Sequence, residues 1–537
     1  MKQLKTIFTL LLTSTLFWAC SDDDTVNKSV WGDSYARFVR SAMTVNGTDG
    51  TAEAIVESQQ STWEITLGEG DIVSNVAPAL GGNANGGQEF TKVVLTCNAN
   101  PSVTETRTQV LYLTDQNGTT TELTVTQEGA SGTVLAVDPS TTYQPVVGFG
   151  GMNTVSVWGT PVITADEMNK MYSPDGLGYS ILRLMIYSDE NRWIDDVAGA
   201  KIAQNHGAIV FACPWNIKAE WADKVDDTDH LKPECYTEYA DHLIRYVEFM
   251  KENGVNIYAI SVQNEPDMDF TAWTPQEVVT FLKQEGARIR ETGVKLMSPE
   301  ACGYQPEYTD AVLNDVDAFA QTDIVAGHLY QGFIDLSSSY VKDRHDYVCG
   351  LYPRLGGKTW WMTEHLFNDG ENEEDPSLWQ FWNWDYNFSH LAKEIHMCMD
   401  GYCSAYVYWY LKRFYGMIGD TDERCKEEEG EVSKNGYILA HYAQYATNTT
   451  RIAVTSGSEN IDATAYINES GDEITLVLLN QSDRALTIAI PVSGISQATA
   501  VETNEEKNME AVSVEVTGEY ASLSLSGKSI VSVRLKL

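Results

Sequence analysis

Between Val147 and Tyr410 the chain repeats one pattern eight times: a short apolar run, then a stretch of helical periodicity. The runs fall at 147–151, 179–185, 208–213, 257–262, 295–298, 323–327, 359–363 and 405–410. Strands alternating with amphipathic helices are the signature of a parallel α/β fold. One interval shows the grammar. Tyr239, Leu243, Val247 and Met250 recur at helical spacing, Gly254 ends the helix, and Ile257 to Val262 follows as a strand. The next helix opens on Thr274-Pro275-Gln276-Glu277, a capping box with proline at its first helical position. Eight strands with helices between them predict a (β/α)8 TIM barrel over 135–452.

The flanks read differently. From 48 to 130 the segments alternate in hydrophobicity, as at Trp63 to Leu67, Lys92 to Thr96, Thr108 to Leu113 and Thr121 to Thr126. Asn85-Gly86-Gly87 and Gln116-Asn117-Gly118 supply turns, and a small β-sandwich is expected. The Trp63 strand, Arg107 and the closing Val125 to Gly129 resemble a BACON-type domain, as a spacer or as a sugar-binding module. From 453 to 537 helices vanish, and Ile474 to Leu479, Leu486 to Ile490 and Ile530 to Leu535 predict a second β-sandwich packed on the barrel. At the other end Lys2 and Lys5 precede an apolar run from Ile7 to Trp18, too short to span a bilayer. Ala19-Cys20 followed by Ser21-Asp22-Asp23-Asp24 resembles a lipoprotein cleavage site. A signal peptide over 1–20, lipidation at Cys20, a polar linker over 21–47 and an outer-membrane lipoprotein exposed at the cell surface are expected.

Charge narrows the partners. With 76 acidic against 36 basic side chains the formal net charge is -40, which repels nucleic acid and anionic lipid. Membrane contact is expected only through the lipid, and a monomer is expected. Of nine cysteines none forms a CxxC pair, and no Cys/His cluster has zinc spacing. No metal and no cofactor is expected.

Two runs end on glutamate: Ile257 to Val262 leads into Gln263-Asn264-Glu265, and Thr359 to Met362 into Thr363-Glu364. A glutamate at the C-terminal tip of a buried strand aims a carboxylate into the top-face cleft of a barrel. Two of them, at strands four and seven, can face each other across one site, as hydrolysis of a glycosidic bond with retention requires. The alternative for either alone is a strand cap or a partner for arginine. Many Trp and Tyr, 14 and 27, suit the stacking of sugar rings, although most such side chains belong to cores.

These glutamates, with Asn264 before the first, resemble the pattern of glycoside hydrolase family 30, and within it the glucuronoxylanases of subfamily 8. The resemblance spans roughly residues 140 to 537. It rests on Gly148-Phe149-Gly150-Gly151-Met152-Asn153, Gly178 to Arg183, Gly207 to Asn216, Tyr258 to Asp267, Gly327-His328-Leu329-Tyr330 and Trp361 to Glu364, in that order. It implies Glu265 as acid/base and Glu364 as nucleophile. Asn264, Trp215, Tyr330, Trp409, Asn153 and His328 would be substrate-binding. It further implies that Arg413 and Tyr415, after strand eight, grip the carboxylate of a glucuronic acid branch on xylan. A guanidinium fork matches a carboxylate in two parallel hydrogen bonds, which makes the assignment chemically sensible. The alternative is that Arg413 pairs with Asp420 or Asp422. Two acidic segments, 368–375 and 420–431, would repel a uronate unless they point into solvent. The expected activity is a retaining endo-β-1,4-xylanase on glucuronoxylan. A family 30 enzyme for bare xylan or another β-glycan, and a non-catalytic glycan-binding lipoprotein, are the rivals.

Overall fold

The computed structural model describes residues 34–45, 47, 50–98, 100, 106–127, 129, 133–225, 227–368, 383–517 and 520–537. The expected signal segment, Cys20 and nearly all of the acidic segment 368–375 lie outside them.

The eight runs close into one parallel barrel: β1 (Gly148–Met152), β2 (Ile181–Ile186), β3 (Ile209–Pro214), β4 (Ile257–Ser261), β5 (Lys295–Ala301), β6 (Ile324–His328), β7 (Thr359–Glu364) and β8 (Cys403–Tyr408). Strand β8 returns to β1, with Ala405 opposite Gly148. β1, β2 and β8 are buried along their whole length, because side chains face either the packed barrel interior or the helical layer. Phe211, Met297, Trp361 and Val407 help fill the interior. Gly150 is required by close approach, since a Cβ there would collide with the Ile181 carbonyl. The capping box at Thr274 and Glu277 forms as expected and opens the helix Pro275–Arg290. A second one, at Thr164 and Glu167, opens Ala165–Tyr172.

Two boundaries move. Strand Thr133–Val146 precedes the barrel in sequence, yet it pairs with Thr449–Ser456 and Leu486–Pro491 of the terminal sandwich. The barrel therefore starts at Gly148, and the chain crosses the sandwich before entering it. That sandwich has its own core of Leu135, Ile452, Leu476, Ile488 and Val533. It is tied to the barrel side by His441, which lies on Lys434–Ala446 and meets Ser532 Oγ at 2.8 Å and Thr503 Oγ1 at 2.9 Å. The N-terminal unit is a compact β-structure of a four-stranded and a five-stranded sheet around Val56, Trp63, Leu95 and Leu111. Its strands begin at Tyr35–Phe38 and Ala42–Val45, so the expected linker over 21–47 is in part sandwich. Those strands are short, and only pairing with Gly50–Gln59 and Thr120–Gln127 reveals them. Among the described residues no helix is long and apolar enough to cross a membrane.

Candidate active site

The tips of β4, β5, β6 and β7 meet in one buried cluster of charge. Beyond β4 the chain is stitched to both neighbours: Asn264 N donates to the Pro214 carbonyl at 2.8 Å and Glu265 N to the Glu300 carbonyl at 3.0 Å. Glu265 and Glu300 both adopt left-handed backbone, φ 44° and 65°, a conformation costly for a residue with a Cβ and common at functional sites. Glu364 ends β7. An oxygen of Glu265, an oxygen of Glu364 and a ring nitrogen of His328 lie within 4.8 Å of one another.

Each carboxylate has a designated cation. Arg183, fully buried on β2, pairs through Nη1 with Glu364 Oε2 and donates through Nη2 to Asn264 Oδ1 at 2.6 Å. Tyr330 donates its hydroxyl to Glu364 Oε1 at 2.7 Å. On the other side His328 Nδ1 sits 2.8 Å from Glu265 Oε1 and Nε2 sits 3.0 Å from Glu300 Oε2. Burial opposes a charge on His328, but the charge of Glu364 and its hydrogen bonds to Glu265 and Glu300 outweigh that and hold its pKa up, at about 10. Like-charge repulsion predicts a raised pKa for Glu265. Burial does push it up, yet the hydrogen bond and charge of His328 pull it below the usual carboxylate value in the free chain. Both nitrogens of His328 are therefore spent on carboxylates. The ring, expected among the substrate-binding residues, is fully buried with both nitrogens against carboxylates.

The remaining expected residues divide. Asn264 and Tyr330 join the cluster. The Nδ2 of Asn264 is buried with no partner among the described residues. Trp215 is buried under the Arg183 guanidinium, 4.8 Å from its ring, and touches Trp409 at 5.7 Å. Asn153 turns to Asp196 at 2.7 Å, and burial lifts that acid to about 7. Sequence reasoning passed over four residues. Trp158 packs edge-on against Trp215 and reaches Phe270, and both rims are 39% exposed. Arg183 lay inside a quoted motif without a role. Glu300 ends an apolar run as Glu265 and Glu364 do, but Ser298-Pro299 interrupts that run and hid the pattern.

After β8, the loop at 411–432 settles the pairing alternatives for Arg413. Asp422 is taken by Arg424 in a two-bond fork of 2.9 and 2.7 Å, which draws it down to about 2. Asp420 is buried, accepts the Asp422 N–H, and is pushed up by desolvation. Glu429 lies 3.0 Å from Lys412 and Glu431 3.4 Å from Lys170. Arg413 itself makes no ion pair among the described residues, and its guanidinium stands 5.5 Å from the Phe414 ring. Tyr415 is buried, and its carbonyl receives the Tyr408 hydroxyl at 2.9 Å. Three acids of the segment 420–431, Asp422, Glu429 and Glu431, thus each meet a cation other than Arg413.

Two facing carboxylates at the tips of β4 and β7 of a parallel barrel, each with its own cation, define a glycoside hydrolase. Residues 448–533 match the glycosyl hydrolase family 30 beta sandwich domain, and the chain is 34% identical over 361 residues to Glucuronoxylanase XynC of Bacillus subtilis (strain 168), covering 65% of this chain and 78% of that protein. The chain belongs to glycoside hydrolase family 30. Its structure resembles that of a GH30 endoxylanase from Clostridium papyrosolvens C71, with TM-score 0.62, 29% identity and coverage of 75% of this chain and 100% of that one. It also resembles a family 30 subfamily 8 xylanase from Clostridium acetobutylicum, with TM-score 0.61, 28% identity and coverage of 75% and 99%.

Proposed function

We propose that this chain is a retaining endo-β-1,4-xylanase of the subfamily 8 type, positioned on glucuronoxylan by a glucuronic acid branch at Arg413. The observation that carries the chemistry is the spacing of Glu265 and Glu364 within 4.8 Å. Retention needs about 5–5.5 Å, whereas inversion needs about 6.5–9.5 Å to admit a water between the groups. In the first step a Glu364 oxygen bonds to the anomeric carbon, the glycosidic C–O bond breaks, and Glu265 gives its proton to the leaving oxygen. In the second a water attacks that carbon, passes its proton to Glu265, and displaces Glu364. Arg183 and Tyr330 hold the attacking carboxylate in place. The unpartnered Nδ2 of Asn264 suits a sugar 2-hydroxyl as acceptor. Trp215 and Trp409 would floor the cleft, with Asn153 at its edge.

The branch reading is supported by an arginine that makes no ion pair among the described residues while Asp422 and Glu429 are matched by Arg424 and Lys412, by Tyr415 close in sequence, and by relatives named as glucuronoxylanases. Arg413→Ala is expected to lower kcat/KM on glucuronoxylan by about 10- to 150-fold, the worth of a lost charge-assisted fork. Debranched xylan should be cut no worse than before. Mass analysis of products from both substrates checks this: equal effects on the two would sink the branch reading and leave a family 30 enzyme for undecorated chains.

We further read Lys2, Lys5, the apolar run to Trp18 and Cys20 as the export and lipidation signal of a surface lipoprotein, with the N-terminal sandwich as a BACON-type module. Cys20→Ala should release active enzyme into the medium, and retention of that variant in the outer membrane would refute the lipid anchor.

A further inference from the structure

Glu300 is a third buried carboxylate in this cluster, and nothing in the two-carboxylate reaction uses it. It is fully buried on β5, on the side of His328 away from Glu265. Its Oε1 accepts the Ser261 hydroxyl at 2.5 Å, and its Oε2 accepts the Thr363 hydroxyl at 2.5 Å together with His328 Nε2 at 3.0 Å. Burying an anion this completely is costly unless it is paired and hydrogen-bonded, and here it is both.

Each ring nitrogen of His328 faces a carboxylate, an arrangement that favours the imidazolium whenever both acids are ionised. A neutral imidazole carries one N–H and could satisfy one carboxylate, leaving a lone pair aimed at the other. Only the imidazolium donates to Glu265 and Glu300 together. The groups facing His328 favour that charge: Glu265 from β4, Glu300 from β5 and Glu364 from β7, the last at 3.9 Å. The Tyr330 ring lies 6.1 Å away, and Asp267 and Cys302 flank Glu265. Among the described residues Arg183 on β2 is the opposing cation, and it is pinned to Glu364.

We propose that Glu300 is a positioning residue which keeps His328 an imidazolium and thereby sets the proton affinity of Glu265. The inference rests on the reading of Glu265 as acid/base. The low pKa of Glu300, about 2, fits a permanent counter-ion. Glu265 must alternate between acid and carboxylate in each turnover, while the His328–Glu300 pair keeps one charge state throughout. A fixed neighbouring cation then makes Glu265 an easily discharged acid in the first step.

Glu300→Gln keeps the shape and, with its oxygen toward His328 and Thr363, those two acceptor contacts; its NH2 then donates to the Ser261 hydroxyl, and the buried charge is gone. His328 should then become neutral near pH 7, Glu265 should lose the cation beside it, and its pKa should rise. Because the first step needs protonated Glu265, the alkaline limb of the kcat/KM profile should move upward by about one to two pH units. Glu300→Asp, which keeps the charge, should return the limb toward its original position. A limb that stays put in Glu300→Gln while kcat falls would overturn the proposal and leave Glu300 a structural residue. If that variant does not fold, ¹⁵N spectra of the wild-type histidine rings decide, with His328 assigned by its loss in His328→Gln. Two protonated ring nitrogens at pH 8 are expected, and a neutral ring there would overturn the proposal. The spectra read Glu300 and His328 without any turnover. A wrong acid/base assignment would instead appear as an imidazolium in an enzyme whose rate ignores Glu265→Gln.

Discussion

Glu364→Gln is expected to lower turnover on xylan by a factor on the order of 10⁴ or more, since the covalent route loses its nucleophile altogether. The fold should survive. The cluster holds two cations, Arg183 and His328, against three anions, Glu265, Glu300 and Glu364, so removing one anion leaves two against two. Arg183 also keeps its bond to Asn264 Oδ1. Steady-state rates measured beside thermal unfolding test both halves. Residual activity above about one hundredth of wild type would refute the nucleophile assignment. A Glu364→Gly variant with azide adds a sharper check: an azide entering the emptied space should yield the glycosyl azide of inverted configuration.

The second large effect is on stability. Arg183→Met should destabilise the barrel by about 3–5 kcal/mol, because it leaves the Glu364 carboxylate buried without its partner. Methionine nearly fills the arginine stem, so the loss reports charge and hydrogen bonds more than a cavity. The double variant Arg183→Met with Glu364→Gln should recover part of that stability while remaining inactive, since no uncompensated charge is left between the two positions. Urea unfolding of the two single variants and the double variant measures the coupling. An Arg183→Met protein within about 1 kcal/mol of wild type would show that Glu364 finds its compensation elsewhere.

Legibility in the sequence followed the range of the interactions. The eight barrel strands lie within a few residues of their expected positions, because an apolar run between amphipathic helices is a local signal. Thr133–Val146 was misplaced for the opposite reason. Its partners stand some three hundred positions away, and a strand shows no mark of the sheet it will join. Glu265 and Glu364 could be picked out because each closes a clean apolar run, whereas Glu300 does the same behind a proline and passed unnoticed.

The amino-acid order by itself determined the barrel, its flanking β-domains and the two carboxylates aimed at one cleft, since these follow from hydrophobic period and strand ends. What only the tertiary structure decided was the state and company of the charges. A formal charge of -40 says nothing of which acids are neutralised, yet Asp422, Glu429 and Glu431 each meet a cation, while Arg413 makes no ion pair among the described residues. The order of residues likewise does not reveal that Glu265 shares His328 with Glu300, or that Arg183 reaches Glu364 from across the barrel. Proton affinity is set by burial and by neighbours within a few ångströms, and closure of the barrel is what makes residues about a hundred positions apart neighbours.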